Sequence, residues 1–382
     1  METQFTEAFK ARIRRETDTA LRTLRENAFA KFVEIGFPSL KAEDWKYTNV
    51  SAIAKEIWTI ASEPPDFTSV SDVKSGELIG RFNFSRNGFA ALNLALADFA
   101  VIRIPENAIP DKPIEISLSA GEGKLITPHI LVIAGKGSKA VFIENYESFS
   151  KGFTNTAVQV VLEDNAQLKH FRIQKESAEA FHYGVTEVSL ARNCLYDATN
   201  INLGGAISRH DIDLKFMDEG SEAYVDGLYM LDGKQHADTH SSIDHIAPNC
   251  ISHQTYKGVL SESSRAVFNG KVFVRENAYG TDAQQSNKNL LLSDEARVDT
   301  KPQLEIFNDD VKCSHGATVG QLEDEELFYL STRGLPDDLA RNLLTYGFAE
   351  EIIKKISIEN IRVELNNAVL RRLPTVVLGD VS

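Results

Sequence analysis

Asp-Asn-Ala-Gln-Leu at residues 164–168 and Arg-Asn-Cys-Leu-Tyr at residues 192–196 each join a polar turn to a small residue and the start of an alternating strand. The same pattern occurs in four further segments: residues 138–142, 221–225, 264–268 and 294–298. The small residues of the six segments are Ala140, Ala166, Cys194, Ala223, Ala266 and Ala296. Four of the five separations between them lie between 26 and 30 residues, and the fifth is 43.

This repeat predicts how the chain packs. Supersecondary units that recur at a period of roughly 20–50 residues bury their apolar faces by stacking on one another. No long helical pattern lies between the segments, so the crossovers of a doubly wound sheet are not predicted. We therefore expect a mainly β protein with a solenoid core. The residues alone leave open a large β-sandwich whose turns happen to recur at similar spacing.

Helical patterns flank the repeat on both sides. From Thr3 to Ile35, apolar positions at spacings of three, four and eight predict one amphipathic helix, and Pro64-Pro65 marks the next break. After Leu322, a stripe that stops at Gly347 predicts another helix. Two more follow, with their apolar positions in residues 352–356 and 358–369, and the last stops at Pro374. The expected domains are residues 1–68, 69–321 and 322–382.

Composition excludes several classes of partner. The chain has 382 residues and a formal charge of −14, without a basic cluster, which argues against nucleic acid or an anionic membrane surface. Residues 1–5 do not begin a signal peptide, and no apolar stretch could cross a bilayer, so we expect a cytoplasmic protein. The three cysteines are too few and too widely spaced for a disulfide framework. Residues 135–139 lack the spacing of an ATP-binding loop.

One pair of residues combines two metal-binding side chains. Residues 311–319 predict a strand, on which Cys313 and His315 share one side at a separation of roughly 7 Å. Thiolate and imidazole both bind iron or zinc, but closed sites usually have four protein ligands and open sites about three. Further donors must then come from elsewhere in the chain or from a partner chain. The alternative is an ordinary core face with one hydrogen-bonded histidine.

A second cluster of histidines lies in mid-chain, at residues 236, 240, 245 and 253. His236 and His240 have the spacing of a helical zinc motif, but the segment has strand character and lacks the required glutamate. Asp238 and His240 can share one side of a strand, so a metal role and a polar ladder both stay open. Aspartates also recur every six residues from Asp226 to Asp244, which keeps a polysaccharide-cleaving enzyme as an alternative.

Four motifs resemble a known family. They are Asp-Val-Lys-Cys-Ser-His-Gly-Ala-Thr at residues 310–318, Leu-Lys-Ala-Glu-Asp-Trp-Lys-Tyr-Thr at residues 40–48, Asp-Thr-His-Ser-Ser-Ile-Asp-His at residues 238–245 and Tyr-Lys-Gly at residues 256–258. Together they resemble the SufB/SufD family of iron–sulfur cluster assembly proteins. The SufD branch is the closer of the two, because SufB chains typically carry acidic residues at the positions of Ser314 and Gly316. The resemblance implies a right-handed parallel β-helix flanked by N-terminal and C-terminal α-helical regions.

The resemblance also implies a function. It indicates a scaffold subunit of a SufBCD complex that pairs with SufB through the β-helix and with the ATPase SufC through the C-terminal helices. His315, and after it Cys313, become candidate ligands for iron or a nascent iron–sulfur cluster shared transiently with SufB. The candidate SufC-docking residues are Leu339, Leu343, Tyr346 and Ile353. The chain itself would not be an enzyme, and alone it could form a homodimer. A stand-alone β-helical enzyme and a purely structural adaptor are the alternatives.

Overall fold

The computed structural model describes residues 2–61 and 73–373. It is a parallel β-solenoid of about eight turns between N-terminal and C-terminal helices, which confirms the expected fold class. Within the described residues, none of the helices is both long and apolar enough to cross a bilayer.

The strands form two parallel sheets, and helices flank them on both sides. Ten strands form the first sheet: β1 Thr59–Ile60, β2 Asp98–Ile104, β4 Lys124–Ile126, β5 Pro128–Ala134, β7 Phe153–Leu162, β9 Phe181–Leu190, β11 Ile207–Phe216, β13 His236–His245, β15 Arg265–Val274 and β17 Arg297–Ile306. Eight form the second: β3 Ile114–Leu118, β6 Lys139–Ser148, β8 Gln167–Glu176, β10 Leu195–Asn202, β12 Glu222–Leu231, β14 Ile251–Leu260, β16 Thr281–Leu291 and β18 Val311–Gly320. The α-helices are α1 Glu2–Arg15, α2 Thr19–Ile35, α3 Ser51–Lys55, α4 Val73–Ile79, α5 Gly88–Leu96, α6 Asp324–Thr332, α7 Asp337–Ile353 and α8 Glu359–Leu370.

Each full coil contributes one strand to each sheet, and successive coils pair in parallel register. Gln167 of β8, for example, pairs with Leu195 of β10, which lies 28 residues later. The repeat in the sequence is therefore present in the structure. Each repeated segment corresponds to one of the two strands of a coil. Four segments lie in the second sheet, whereas residues 264–268 and 294–298 lie in the first. That change of sheet explains the separation of 43 residues between Ala223 and Ala266.

One corner of the solenoid explains the polar turns in the repeat. Six residues there have φ between 54° and 76°: Gly137, Asn165, Asn193, Gly220, Asn249 and Gly280. Each donates its backbone N–H to a carbonyl in the next coil, at 2.8–3.4 Å. Left-handed backbone favours glycine and asparagine over other residues, so these two types recur where each coil turns. The small residue that follows, such as Ala166 or Cys194, is buried inside the coil.

The N-terminal region differs from expectation in two ways. The single helix predicted from Thr3 to Ile35 is two helices, because the first ends at Arg15 and Asp18 starts the second by accepting a hydrogen bond from the Leu21 N–H. The expected boundary at residue 68 and Pro64-Pro65 lie outside the described residues. Beyond them the helical region continues through α5, so the first long strand begins only at Asp98. Every residue of α5 is buried, which removes the amphipathic pattern that would reveal a helix.

The C-terminal region packs on the outer face of the second sheet. The helix predicted to stop at Gly347 instead continues unbroken to Ile353, because Gly347 lies on an exposed side of α7 where nothing forces the chain to turn. Ile353 and Ile356 contribute to an apolar cluster with solenoid residues such as Leu228 and Val259. Two buried solenoid side chains also bind the helices: Lys257 contacts Glu351, and Asp226 accepts from Lys355 at 2.7 Å. Pro374 lies outside the described residues.

The corner residues allow a test of the fold. A Cβ at Gly220 would lie 2.3 Å from Asn193 Oδ1 at a φ of +76°, so we expect Gly220→Ala to reduce the free energy of unfolding by about 1–3 kcal/mol. Gly347→Ala is the matched control. It adds a methyl group to an exposed helical position with no atom within 4 Å and should stabilise by about 0.5–1 kcal/mol. Equal effects of both changes in urea unfolding would contradict this account of the corner.

Candidate functional site

The candidate ligands lie at one open end of the solenoid. Residues 311–320 form β18, as the alternation in the sequence predicted, and this is the last strand of the second sheet. It pairs with β16, and within the described residues no strand covers its other edge. Most of β18 is exposed, as are many residues of β17, the last strand of the first sheet. The last coil therefore presents backbone and side chains that a further chain can reach.

The register shows which way the two ligands face. Cys313 pairs with Ala283 and His315 pairs with Gln285, and both partners are buried on the inward side of β16. Paired residues of a parallel sheet point the same way, so Cys313 and His315 also face the solenoid axis. Because no coil follows, Cys313 is only half-buried against the core and His315 is exposed. Burial raises the pKa of the Cys313 thiol, so binding a metal there would displace a proton.

The described part of the chain does not gather enough ligand side chains around Cys313 and His315 for a metal site. Among residues 2–61 and 73–373, no cluster of three or more histidine, cysteine or acidic side chains has an arrangement that could hold a metal ion. Cys194 and Cys250 are buried at 2% and 0% exposure, in other coils, and neither reaches the end of the solenoid. A thiol and an imidazole on one open strand are two possible ligands, fewer than the three or four protein ligands of usual metal sites.

Two of the mid-chain histidines, His236 and His240, belong to a different structure, a junction between the N-terminal segment and the first sheet. Thr48 Oγ1 donates to Asp238 Oδ2 at 2.6 Å and lies 2.8 Å from His236 Nε2. Arg209 donates to the same Asp238 oxygen at 2.8 Å and lies over the Trp45 ring at 3.8 Å. The motifs at residues 40–48 and 238–245 thus meet in space.

Charge balance holds this junction together. Burial alone would raise the pKa of Asp238, but the Arg209 guanidinium and His240, 3.0 Å from the other carboxylate oxygen, hold it well below its usual range. Arg209 is buried between Asp238 and Asp211, so each charge has a partner. Neither the zinc site nor the exposed polar ladder describes these residues. They connect two regions of the chain.

Comparison with known proteins agrees with this arrangement of motifs. A family model described as "SUF system FeS cluster assembly, SufBD core domain" matches residues 117–348, more than half of the chain. The chain belongs to the SufB/SufD family. A second family model, "SufBD protein N-terminal region", matches residues 1–71. Family membership supports a role in iron–sulfur cluster assembly.

Individual relatives in the SufB/SufD family extend the match. A SufBD family iron–sulfur cluster assembly protein of Synechocystis sp. is 34% identical over 333 residues, which cover 84% of this chain and 72% of the relative. SufD of Escherichia coli is 36% identical over 241 residues, covering 63% of this chain and 57% of that protein. SufD of Bacillus subtilis is 26% identical over 344 residues, covering 84% and 74%. The SufD names agree with the branch that the sequence motifs indicated.

A charged network inside the solenoid was missed from the sequence. His170 Nε2 lies 2.5 Å from Glu144, and His182 Nδ1 lies 2.8 Å from Glu176, all four fully or almost fully buried. Burial would raise the pKa of both glutamates, but the neighbouring histidines hold it below the usual value. The available signal was polar residues at every second position of β8, on the face that points into the solenoid. These contacts make part of the solenoid interior polar.

Fewer of the predicted docking residues on the C-terminal helices of this chain are exposed than expected. Leu343 is 49% exposed, whereas Leu339 and Tyr346 are partly buried. Ile353 was a wrong choice for a surface contact, because it is 0% exposed and packs against the solenoid of its own chain. Helix α6, which the sequence patterns did not resolve, adds two exposed aromatic side chains: Phe328 at 71% and Tyr329 at 57%.

The carboxylates that kept a polysaccharide-cleaving enzyme open do not form one groove. Asp226 faces the C-terminal helices from the second sheet and binds Lys355. Asp238 is buried in the first sheet, and Asp244 forms an ion pair with Arg275. Each of these three carboxylates thus has its own basic partner in a different environment. These carboxylates therefore do not form the paired acid and base in a common cleft that glycoside hydrolysis needs.

The junction gives a pH-dependent prediction. Asp238→Asn leaves the buried Arg209 with Asp211 alone and should reduce the free energy of unfolding by about 3 kcal/mol at neutral pH. Because folding lowers the pKa of Asp238, the carboxylate stabilises the fold above its unfolded pKa of about 3.9 and loses this effect as pH falls further. The difference between wild type and variant should therefore shrink below about pH 4.

The matched control is Asp244→Asn in the same strand. Its ion pair with Arg275 is more exposed, so the loss should stay below about 1 kcal/mol. Denaturant unfolding of the three proteins between neutral and acidic pH measures both effects. An Asp238→Asn loss no larger than that of the control would contradict the assigned role of the junction.

Proposed function

We propose that this chain is a non-catalytic scaffold subunit that assembles iron–sulfur clusters together with a SufB sister subunit and the ATPase SufC. The observation that carries the proposal is the pair Cys313 and His315, which face the axis at the open end of the solenoid with only half of a ligand set. Iron and sulfide are the cargo of this site. The three free cysteines suit a reducing compartment such as the cytoplasm.

The end of the solenoid also suits a sister subunit. An uncovered edge strand exposes backbone N–H and C=O groups that pair readily with another strand. Beside it, Ile306, Phe307 and Val319 are between 41% and 56% exposed, which gives apolar area for a partner. A SufB solenoid docked here would bring its own donors next to Cys313 and His315. Without SufB, a second copy of this chain could occupy the same edge.

The chemistry of the shared site follows from its donors. A thiolate and a neutral imidazole are both ligands for iron–sulfur clusters, and replacing thiolate by imidazole lowers the negative charge on the cluster and raises its potential. A site divided between two subunits can bind a nascent cluster and then open when the subunits move apart. In the proposal, the ATP cycle of SufC drives that movement, because this chain has no phosphate-binding loop of its own.

The first test removes the imidazole. In the complex of this chain with SufB and SufC, His315→Ala should lower the cluster yield by at least about tenfold while the three subunits still co-purify, because the change removes a ligand and no packing contact. Ser314→Ala, on the outward side of the same strand, is the control and should leave the yield unchanged. Normal cluster content in both His315→Ala and Cys313→Ser complexes would instead indicate a purely structural adaptor.

The second test separates docking from folding in the C-terminal helices. Leu343→Ala should weaken binding of SufC at unchanged stability, because this side chain is about half exposed. Ile353→Ala should instead cost about 2–5 kcal/mol of unfolding free energy, because it leaves a cavity between helix and solenoid. Titration calorimetry with SufC and urea unfolding measure the two effects. Unaltered SufC binding by the Leu343→Ala chain would exclude this surface as the docking site.

A further inference from the structure

A row of hydrogen-bonded side chains inside the solenoid leads to His315. Ser241 Oγ donates to Gln254 Oε1 across the interior at 3.1 Å, and Gln285 Nε2 donates to the same oxygen at 2.7 Å. Gln254 and Gln285 lie in neighbouring coils of the second sheet, in direct register. The next position in that column is His315. The row therefore ends directly beneath the candidate ligand.

The last amide of this row has an acceptor to spare. Gln285 Oε1 is buried and has no hydrogen-bond partner among the described residues. Glutamine amides stacked along parallel strands donate to one neighbouring strand and accept from the other. Gln285 Nε2 binds Gln254 in the coil before, and His315 occupies the same register position in the coil after, so the register offers an imidazole N–H as the donor for the unpaired Oε1. A buried carbonyl oxygen without a donor is costly, so this position favours a donor from the imidazole.

The structure also makes room for this amide. Gly270 lies on the facing strand β15, and a Cβ there would come within 2.2 Å of Gln285 Nε2. Any larger residue would push the amide out of line with the row. Gln285 is itself 3% exposed, so its surroundings restrict the positions that the amide can take.

We propose that Gln285 is a positioning residue that accepts a hydrogen bond from one ring N–H of His315 and so directs the other nitrogen toward iron at the open end. Histidines that bind metals almost always donate their second N–H to such an acceptor, which fixes the tautomer and the ring orientation. The inference rests on the proposed function for its purpose. The hydrogen bond itself can be tested in the isolated chain, without iron or partners.

The test is the tautomer of His315, observed by ¹⁵N NMR of histidine-labelled protein at about pH 8, where an ordinary imidazole is neutral. The His315→Ala spectrum identifies the signal among the nine histidines of the chain. Wild type should show a single tautomer, and Gln285→Met a mixture, since methionine fills the space without a strong acceptor. Gln285→Glu should keep the single tautomer, because a carboxylate accepts the same bond and Gln254 has an unpaired Nε2 to offer it.

Gln284→Met is the control, because Gln284 lies on the exposed outward side of the same strand. It should leave the tautomer unchanged. If Gln285→Met does not fold, Gly270→Ala supplies a second variant that displaces the amide and should give the same mixture. A mixture of tautomers in the wild type would overturn the proposal. So would a single, unchanged tautomer in every folded variant that removes or displaces the Gln285 amide.

A second measurement keeps this proposal apart from the proposed function. In the assembled complex, Gln285→Met should lower the cluster yield by about 10–100-fold, and Gln285→Glu should restore most of it. Normal yield with both His315→Ala and Cys313→Ser would remove the proposed function, whereas the tautomer in the isolated chain would still decide on the hydrogen bond. Normal yield with Gln285→Met but not with His315→Ala would reject the positioning role and leave the proposed function in place.

Discussion

The stacking of coils in parallel register is the constraint on which the other features of this protein depend. Every coil bonds its backbone to the coils before and after it, so a side chain at one position stands directly above its counterpart about 4.8 Å away. Columns of like residues follow from this geometry: left-handed glycines and asparagines at one corner, apolar residues along the core and amides beneath His315. A change in one coil is therefore felt mainly by its two neighbours.

A stack of this kind has two ends, and the chain treats them differently. The N-terminal helices pack against the earlier coils, with the fully buried α5 among them. The junction of Asp238, Arg209 and Thr48 then anchors the N-terminal segment to the side of the first sheet. The last coil has no such cover among the described residues. An open end is an aggregation hazard in a monomer, and it is the natural place for a specific partner.

The same asymmetry exposes the two candidate ligands, Cys313 and His315. Inward-facing groups are normally buried by the next coil, as Gln254 is by Gln285. At the final strand the sequence places a thiol and an imidazole on that inward side instead of more core residues. Side chains that a further coil would cover are thus exposed at the end. The amides of Gln254 and Gln285 in the preceding coils stay buried. This combination suits a ligand set that a second subunit completes.

The sequence by itself determined the local features of this protein. Its spacing of turns and small residues predicted a solenoid, its alternation at residues 311–319 predicted the strand of Cys313 and His315, and its motifs indicated the family. These features are local in the chain, because glycine and asparagine at turns and alternation along strands act over a few residues. The break between α1 and α2 was missed, because the apolar spacing continues across it.

Only the tertiary structure decided which residues meet. It showed that residues 40–48 bind residues 238–245, that Ile353 is core and not surface, that α5 is a helix without an amphipathic face, and that Gln285 lies under His315. Each of these contacts joins residues that are far apart in the chain or depends on which sheet a strand enters. Periodicity specifies that a side chain faces inward, whereas the register of the coils alone specifies what stands above and below it.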